Sequence, residues 1–220
     1  GKFGVMDADP DDWACEARRY YFNICGKYGI NVQRLLAAAS KHEINIICPL
    51  HGPVLKENLG YYINLYDIWS KYEAETNGVL VAYASIHGGT RAVAEKVAQM
   101  LEKKGLEKVS IMDLSRCDMA EAIEDAFRMS RLVVAASSYD ASVFPPMYDF
   151  VHHLVIKGYQ NRKVAIIENG SWAPSVIRTL KPMFESMKNI ALIEPMVTIW
   201  SRMKESDIPA LQQLVDAIAE

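Results

Sequence analysis

The run Ser85-Ile-His-Gly-Gly-Thr90 lies between an apolar stretch, Val79–Ala84, and a helical pattern that begins at Thr90. A tight turn of this kind gathers backbone N–H groups and a helix N-terminus around one point, which suits a phosphate. The run lacks the lysine of a G-x-x-x-x-G-K-[ST] loop. It also lacks the G-x-G-x-x-G spacing of a dinucleotide fold. Ser85, Ile86, His87, Gly88, Gly89 and Thr90 therefore read as a cradle of neutral donors for one terminal monophosphate, such as that of FMN. A plain helix cap is the alternative for this turn taken alone. His87 is either a phosphate or ring contact or an exposed turn residue.

Two more loops have matching chemistry. Ser137, Ser138, Tyr139, Asp140 and Phe144 belong to Ser137–Pro146, and Asn169, Gly170, Ser171 and Trp172 belong to Asn169–Pro174. A flat flavin needs a phosphate cradle at one end and aromatic walls at the other. Tyr139 and Trp172 are the wall candidates, with Phe144 in reserve, although loop aromatics often serve packing alone. Asn169, Gly170 and Ser171 can offer backbone N–H groups to the ring edge, where such contacts tune a cofactor's potential. Glu168 and Asp140 either ring the flavin with negative charge or are ordinary solvated carboxylates. His152 and His153 are adjacent in a helix, do not face one partner, and read as fillers.

The elements that position these loops follow from periodicity. Strands are predicted at Val79–Ala84, Lys108–Asp113, Leu132–Ser137, Lys163–Glu168 and Ile190–Val197. Helices are predicted at Thr90–Lys104, Met119–Met129, Pro146–Ile156, Pro174–Met187 and Asp207–Ala219. Val93, Ala94, Val97, Ala98 and Leu101 share one face of the first, and Leu211, Leu214, Val215 and Ile218 one face of the last. Strands apolar on both faces, such as Leu132-Val-Val-Ala-Ala, belong in a covered parallel sheet. Five βα units give an α/β fold with a doubly wound, five-stranded sheet of order 2-1-3-4-5. The loops after its first, third and fourth strands then meet at one edge.

Residues 1–76 differ. Helices are predicted at Asp11–Lys27 and Asn31–Lys41 with a break at Gly29, and another at Leu59–Tyr72. Ile44–Cys48 reads as a short strand and Pro49–Pro53 as a tight loop. This part is helix-rich and resembles the tail of a larger domain, with the boundary in the polar stretch Glu73–Gly78. Tyr61, Tyr62, Leu65, Ile68 and Trp69 form an apolar stripe that predicts self-association.

Bulk properties narrow the classes. The chain has 220 residues, half of them hydrophobic, and a formal net charge of −3, which argues against nucleic acid. No stretch approaches the ~20 apolar residues needed to span a bilayer, and no signal-peptide core is visible. Cys15, Cys25, Cys48 and Cys117 form no C-x-x-C pair, so reduced thiols in the cytoplasm are expected.

With these loops in view, the chain resembles the A-type flavoproteins, or flavodiiron proteins. These join a metallo-β-lactamase-like domain carrying two irons to a flavodoxin-like domain carrying FMN. Trp13–Asn23 and Ile47–Pro53 resemble the end of the first domain, Tyr66–Glu73 its linker, and Ser85–Thr90, Tyr139–Pro146 and Glu168–Trp172 the FMN loops. The resemblance divides the chain into a di-iron domain remnant, 1–76, and a flavodoxin-like FMN-binding domain, 77–220. It implies electron transfer from FMN to a di-iron centre that reduces O2 or NO. It also implies a rubredoxin or similar donor, and a homo-oligomer in which the FMN faces a partner subunit's di-iron domain. The family's iron ligands are absent here except for His51, an orphan ligand; no such role is carried onto Asp7 or Asp9. The expected function is thus an electron-transfer module of an oxidoreductase that binds FMN, has no catalytic side chain and does not reduce O2 or NO by itself. The rivals are a quinone or NAD(P)H reductase on the same fold, a flavin-free interaction module and a metallo-hydrolase fragment.

Overall fold

The computed structural model describes residues 10–220. Asp7 and Asp9 lie outside them. The sheet is built from β1 (Thr76–Ala84), β2 (Lys108–Asp113), β3 (Met129–Tyr139), β5 (Arg162–Gly170), β6 (Ile190–Leu192) and β7 (Val197–Trp200), with a two-residue strand β4 (Ser142–Val143). Its order is β2-β1-β3-β5, with β6 and β7 both on the outer side of β5. All these pairings are parallel except β4, which folds back antiparallel on the end of β3. Counting β6 and β7 as one position gives the expected order 2-1-3-4-5.

The fifth strand is the one that sequence periodicity misplaces. It is expected to run unbroken from Ile190 to Val197, but the ladder stops at Leu192 and restarts at Val197. Pro195 lies in the gap, where it cannot donate to a ladder, and β7 extends past the predicted end to Trp200.

Helices cover both faces of the sheet, which is why its strands are apolar on both sides. On one face lie α4 (Gly89–Glu102) and α8 (Ile208–Ala219). Val93, Ala94, Val97, Ala98 and Leu101 of α4 and Leu211, Leu214, Val215 and Ile218 of α8 are buried there, as their spacing requires. On the other face lie α5 (Met119–Arg128), α6 (Pro145–Ile156) and α7 (Val176–Glu185). Asp118 caps α5 by accepting from the Ala120 N–H at 2.8 Å.

The N-terminal segment packs outside this second face. It comprises α1 (Pro10–Tyr20), α2 (Gly29–Ala39) and α3 (Leu59–Ser70). Gly29 does not interrupt a helix; it opens α2 in helical backbone, and one π turn and one 3-10 turn over residues 21–28 absorb the bend. Ile44–Cys48 forms no strand, only a single bridge between Ile47 and Leu55. The aromatic stripe of α3 is also used differently from the expectation. Tyr62, Leu65 and Trp69 are buried, so the stripe is largely consumed by packing. Phe22 stacks on Phe127 of α5 at 4.2 Å between centroids, so the N-terminal helices share one core with the sheet.

Two arginines hold this junction. The buried Arg18 guanidinium donates to Glu75 at 2.5 and 2.7 Å and to Glu124 of α5, while the Trp69 indole N–H donates to Glu75 at 2.8 Å. Desolvation pushes the Glu124 carboxyl up despite its guanidinium partner. Arg162, at the start of β5, donates to the carbonyls of Tyr72, Glu73, Phe127 and Met129, joining the chain before β1 to the end of α5. Arg18→Met leaves two carboxylates without their cation in a largely water-free setting. It is expected to lower stability by about 3–5 kcal/mol in urea denaturation, whereas a loss below ~1 kcal/mol would show that the ion pairs do not tie α1 to α5.

Candidate cofactor-binding site

The expected loops converge. They enclose a cleft of about 360 Å³ at the carboxyl ends of β1, β3 and β5, lined by Ile86, His87, Gly89, Thr90, Ser137, Ser138, Tyr139, Asp140, Asn169, Gly170, Ser171 and Trp172. Three predicted residues stand behind the lining instead. The Ser85 hydroxyl accepts from the Gly88 N–H at 3.1 Å and so shapes the turn rather than the cleft. Gly88 supplies a left-handed corner, with φ of 85°, that a β-carbon would strain. Phe144 backs the Tyr139 ring at 5.9 Å between centroids.

The first loop delivers the N-terminus of α4 to the cleft. No side chain caps this helix, so its first turn leaves N–H groups without intrahelical partners beside the cleft. Thr90 and Ser137 share a hydroxyl hydrogen bond of 2.8 Å, which joins the first loop to the second. No lysine or arginine lines the cleft. An anion there would be met by backbone N–H groups, hydroxyls and the helix dipole.

The second loop is a hairpin. Ser138 pairs with Val143 and Tyr139 with Ser142, leaving Asp140 and Ala141 at the tip. Tyr139 is 45% exposed and Trp172 is 88% exposed, at the mouth of the cleft. Large apolar rings left this open have little packing role in the chain itself, which weighs against reading them as ordinary core fillers.

Glu168 corrects an expectation. It neither rings the cleft nor faces solvent. It is buried, and its carboxylate accepts from the Ile177 N–H at 3.0 Å and the Thr198 hydroxyl at 2.8 Å. It therefore ties the end of β5 to β7 and to the N-terminus of α7, where a negative charge is favoured. Asp140 does line the cleft, at the exposed hairpin tip.

Ser201 was not singled out in the sequence, yet it knits the site together. It follows β7 with φ of 65°. Its carbonyl accepts from the Asn169 side-chain amide at 3.0 Å, its N–H donates to the Gly170 carbonyl at 3.2 Å, and its hydroxyl donates to Ser171 at 3.0 Å. A β-carbon on Gly89 would sit 2.5 Å from the same carbonyl, so glycine is needed for α4 to approach this turn. A fourth strand-end loop thus completes the cleft. The strand end predicted at Val197 lies three residues short of the true one, which leaves this loop out of the expected set.

Among the described residues His51 has no companion ligands. Its ring lies 5.3 Å from that of Tyr20, and among the described residues no group of three or more His, Cys, Asp or Glu could hold a metal. The residues described here therefore do not fit a di-iron centre. His51 instead lines an apolar groove of about 860 Å³ formed by α1, α2, α3 and the 42–55 segment, with Leu35 and Leu50 among its exposed members.

No protein-family model matches the chain. An anaerobic nitric oxide reductase flavorubredoxin of Escherichia coli is 21% identical over 168 residues, covering 75% of this chain and 35% of its own length. The rubredoxin oxygen:oxidoreductase of the anaerobe Desulfovibrio gigas superposes with a TM-score of 0.90 at 16% identity, over 98% of this chain and 55% of that one. A flavodoxin from the domain Archaea superposes with a TM-score of 0.57 at 20% identity, over 64% of this chain and 96% of its own. The chain thus spans less than half the length of the curated relatives it matches. The full-span neighbours share the N-terminal helices as well as the sheet, whereas the flavodoxin covers only about the length of the latter part. Flavodiiron proteins are thus among the structural neighbours that cover most of this chain, and the chain is similar to them in fold.

Proposed function

We propose that this chain is an FMN-binding electron-transfer module of a flavodiiron-type oxidoreductase. The observation that carries the reading is the single cleft, with no lysine or arginine in its lining, onto which an uncapped helix N-terminus, two paired hydroxyls and two exposed aromatics converge. Its volume of about 360 Å³ falls in the range of small-molecule sites. The α4 N-terminus with Thr90 and Ser137 would take the phosphate, Tyr139 and Trp172 the ring faces, and the Asn169–Ser171 backbone the ring edge. Bound there, FMN supplies one- and two-electron transfer, and the protein supplies binding, orientation and a tuned environment. No side chain in the cleft is assigned as a nucleophile or catalytic acid.

Residues 1–76 are read as the end of a metallo-β-lactamase-like domain, and 77–220 as the flavodoxin-like domain. The full-span likeness to the Desulfovibrio gigas protein supports this division, as does the apolar groove around His51. Reduction of O2 or NO would belong to a complete parent with a full ligand set. The names of the relatives favour a rubredoxin-like electron donor. Four unpaired cysteines suit a reducing compartment such as the cytoplasm, and among the described residues no helix is long and apolar enough to cross a membrane. The exposed groove residues favour a homo-oligomer in which the FMN of one subunit faces the di-iron domain of another.

Purified protein is expected to show a flavin absorption spectrum, to release FMN on denaturation and to carry no iron. A colourless protein that also fails to take up FMN at micromolar concentration would sink the reading in favour of an interaction module. Rapid bleaching by NAD(P)H would instead favour the reductase. Gly89→Ala is expected to weaken FMN binding at least tenfold in a fluorescence titration, because its methyl group displaces the Ser201 carbonyl. Trp172→Ala removes a ring that is 88% exposed. It is expected to leave stability within ~0.5 kcal/mol and to weaken FMN by about fivefold, the worth of one aromatic stack. Unchanged affinity in both variants would place the flavin elsewhere.

A further inference from the structure

The hairpin at the rim of the cleft breaks the rule of its own turn type. Asp140 and Ala141 follow one another with φ of 47° and 55°, between the paired residues Tyr139 and Ser142. A two-residue turn with both central positions left-handed favours Asn-Gly or Asp-Gly, because a β-carbon there crowds the following carbonyl. Aspartate tolerates the first position through its short polar side chain. Alanine has neither glycine's freedom nor a group that bonds locally. A conformation of this kind persists only where its surroundings over-determine it, and such positions gather at ligand clamps.

The surroundings that hold it come from the start of α7. The Arg178 guanidinium donates to the Ala141 carbonyl at 2.6 Å. The Ser175 hydroxyl donates to the Ser142 carbonyl at 2.5 Å, and the Ser175 N–H donates to the Ser138 hydroxyl at 3.0 Å. Ser175 is buried, but Arg178 is exposed and does not line the cleft. The hydrogen bond on the strained residue itself is thus a charge-assisted one from a surface arginine. That bond does nothing for the core, and its evident effect is to fix the tip of a hairpin whose Tyr139 and Asp140 face the cleft.

We propose that Arg178 is a positioning residue for the flavin: by holding the Ala141 carbonyl it locks the left-handed turn, and with it Tyr139, in the conformation that forms one wall of the site. This rests on the FMN reading above. The bond acts on the wall and not on the cofactor, so its loss changes how the ring is held without removing any group that touches it.

The test compares the unmodified chain, Arg178→Ala and Arg178→Lys, each freed of flavin and then titrated with FMN while flavin fluorescence is followed. Arg178→Ala is expected to bind FMN about tenfold more weakly, the scale of one charge-assisted hydrogen bond. It is also expected to quench the bound flavin less completely, with the flavin-free melting temperature moved by no more than about 2 °C. Arg178→Lys is expected to recover most of the affinity, since an ammonium can donate to the same carbonyl as a single donor. Unchanged affinity and quenching in Arg178→Ala would overturn the proposal, as would a fall in the flavin-free melting temperature that accompanies the loss of affinity, which marks a merely structural role. An unmodified chain that takes up no FMN would sink the FMN reading and this role with it. Tight binding by the unmodified chain together with tight binding by Arg178→Ala would sink this role alone.

Discussion

The site depends on one constraint of connectivity. β1 is flanked by β2 on one side and β3 on the other, both parallel to it. A parallel neighbour can be reached only through a helical crossover, and crossovers keep one hand. The chain therefore winds outward from β1 in two directions, and its helices fall on opposite faces of the sheet. The strand ends on either side of the reversal are left with no helix between them, and the crevice there receives the α4 N-terminus, the β3–β4 hairpin and the turn after β5. Nothing in the individual loops creates this convergence; the strand order does.

Given the crevice, the loops hold one another. Thr90 is bound to Ser137, Ser175 to Ser138 and Ser142, and Ser201 to Asn169, Gly170 and Ser171. These are short polar side chains bound to backbone groups and to one another, so the rim is held without a lysine or arginine in the cleft lining. The buried Glu168 carboxylate takes its bonds from β7 and α7 rather than from the cleft. A site made this way offers an anion oriented dipoles rather than a counter-ion, and such dipoles need little reorganisation when a ligand arrives. Behind the sheet the logic is different. There the N-terminal helices are fastened through buried arginines, Arg18 to two carboxylates and Arg162 to a row of carbonyls. That fastening makes residues 10–75 part of the same packed body as the sheet's second face, despite the change in composition near residue 76.

Much of this was legible in the sequence because the period of the pattern is strong. Lys108–Asp113 is found as a strand at its predicted limits, and the apolar faces of α4 and α8 are those that spacing gives. The cleft residues could be named because glycine, serine and aromatic residues at strand ends have few other uses in a parallel sheet. What could not be read depends on contacts between distant residues. Glu168 looks like a solvated carboxylate until Thr198 and Ile177 are seen beside it. Ser201 carries no local signal, since its part depends on Gly89 at the start of α4 and on Asn169 and Ser171 at the end of β5. The broken outer strand does carry a local signal, Glu194-Pro195, which the apolar residues on either side of it outweigh. The stripe of α3 reads as exposed because Tyr21 and Phe22, the partners of Trp69, lie far away in sequence.

The account's central claim is that the cleft recognises a flavin by its phosphate, through neutral donors. The most direct measurement is the affinity of the flavin-free chain for FMN and for riboflavin by titration calorimetry, at low and at high salt. The account predicts that FMN binds at least about a hundredfold more tightly, the worth of two or more hydrogen bonds to a charged group. It also predicts that this ratio changes little with salt, because no lysine or arginine lines the cleft. Equal affinities for the two, or a preference for FMN that collapses as salt is raised, would contradict it.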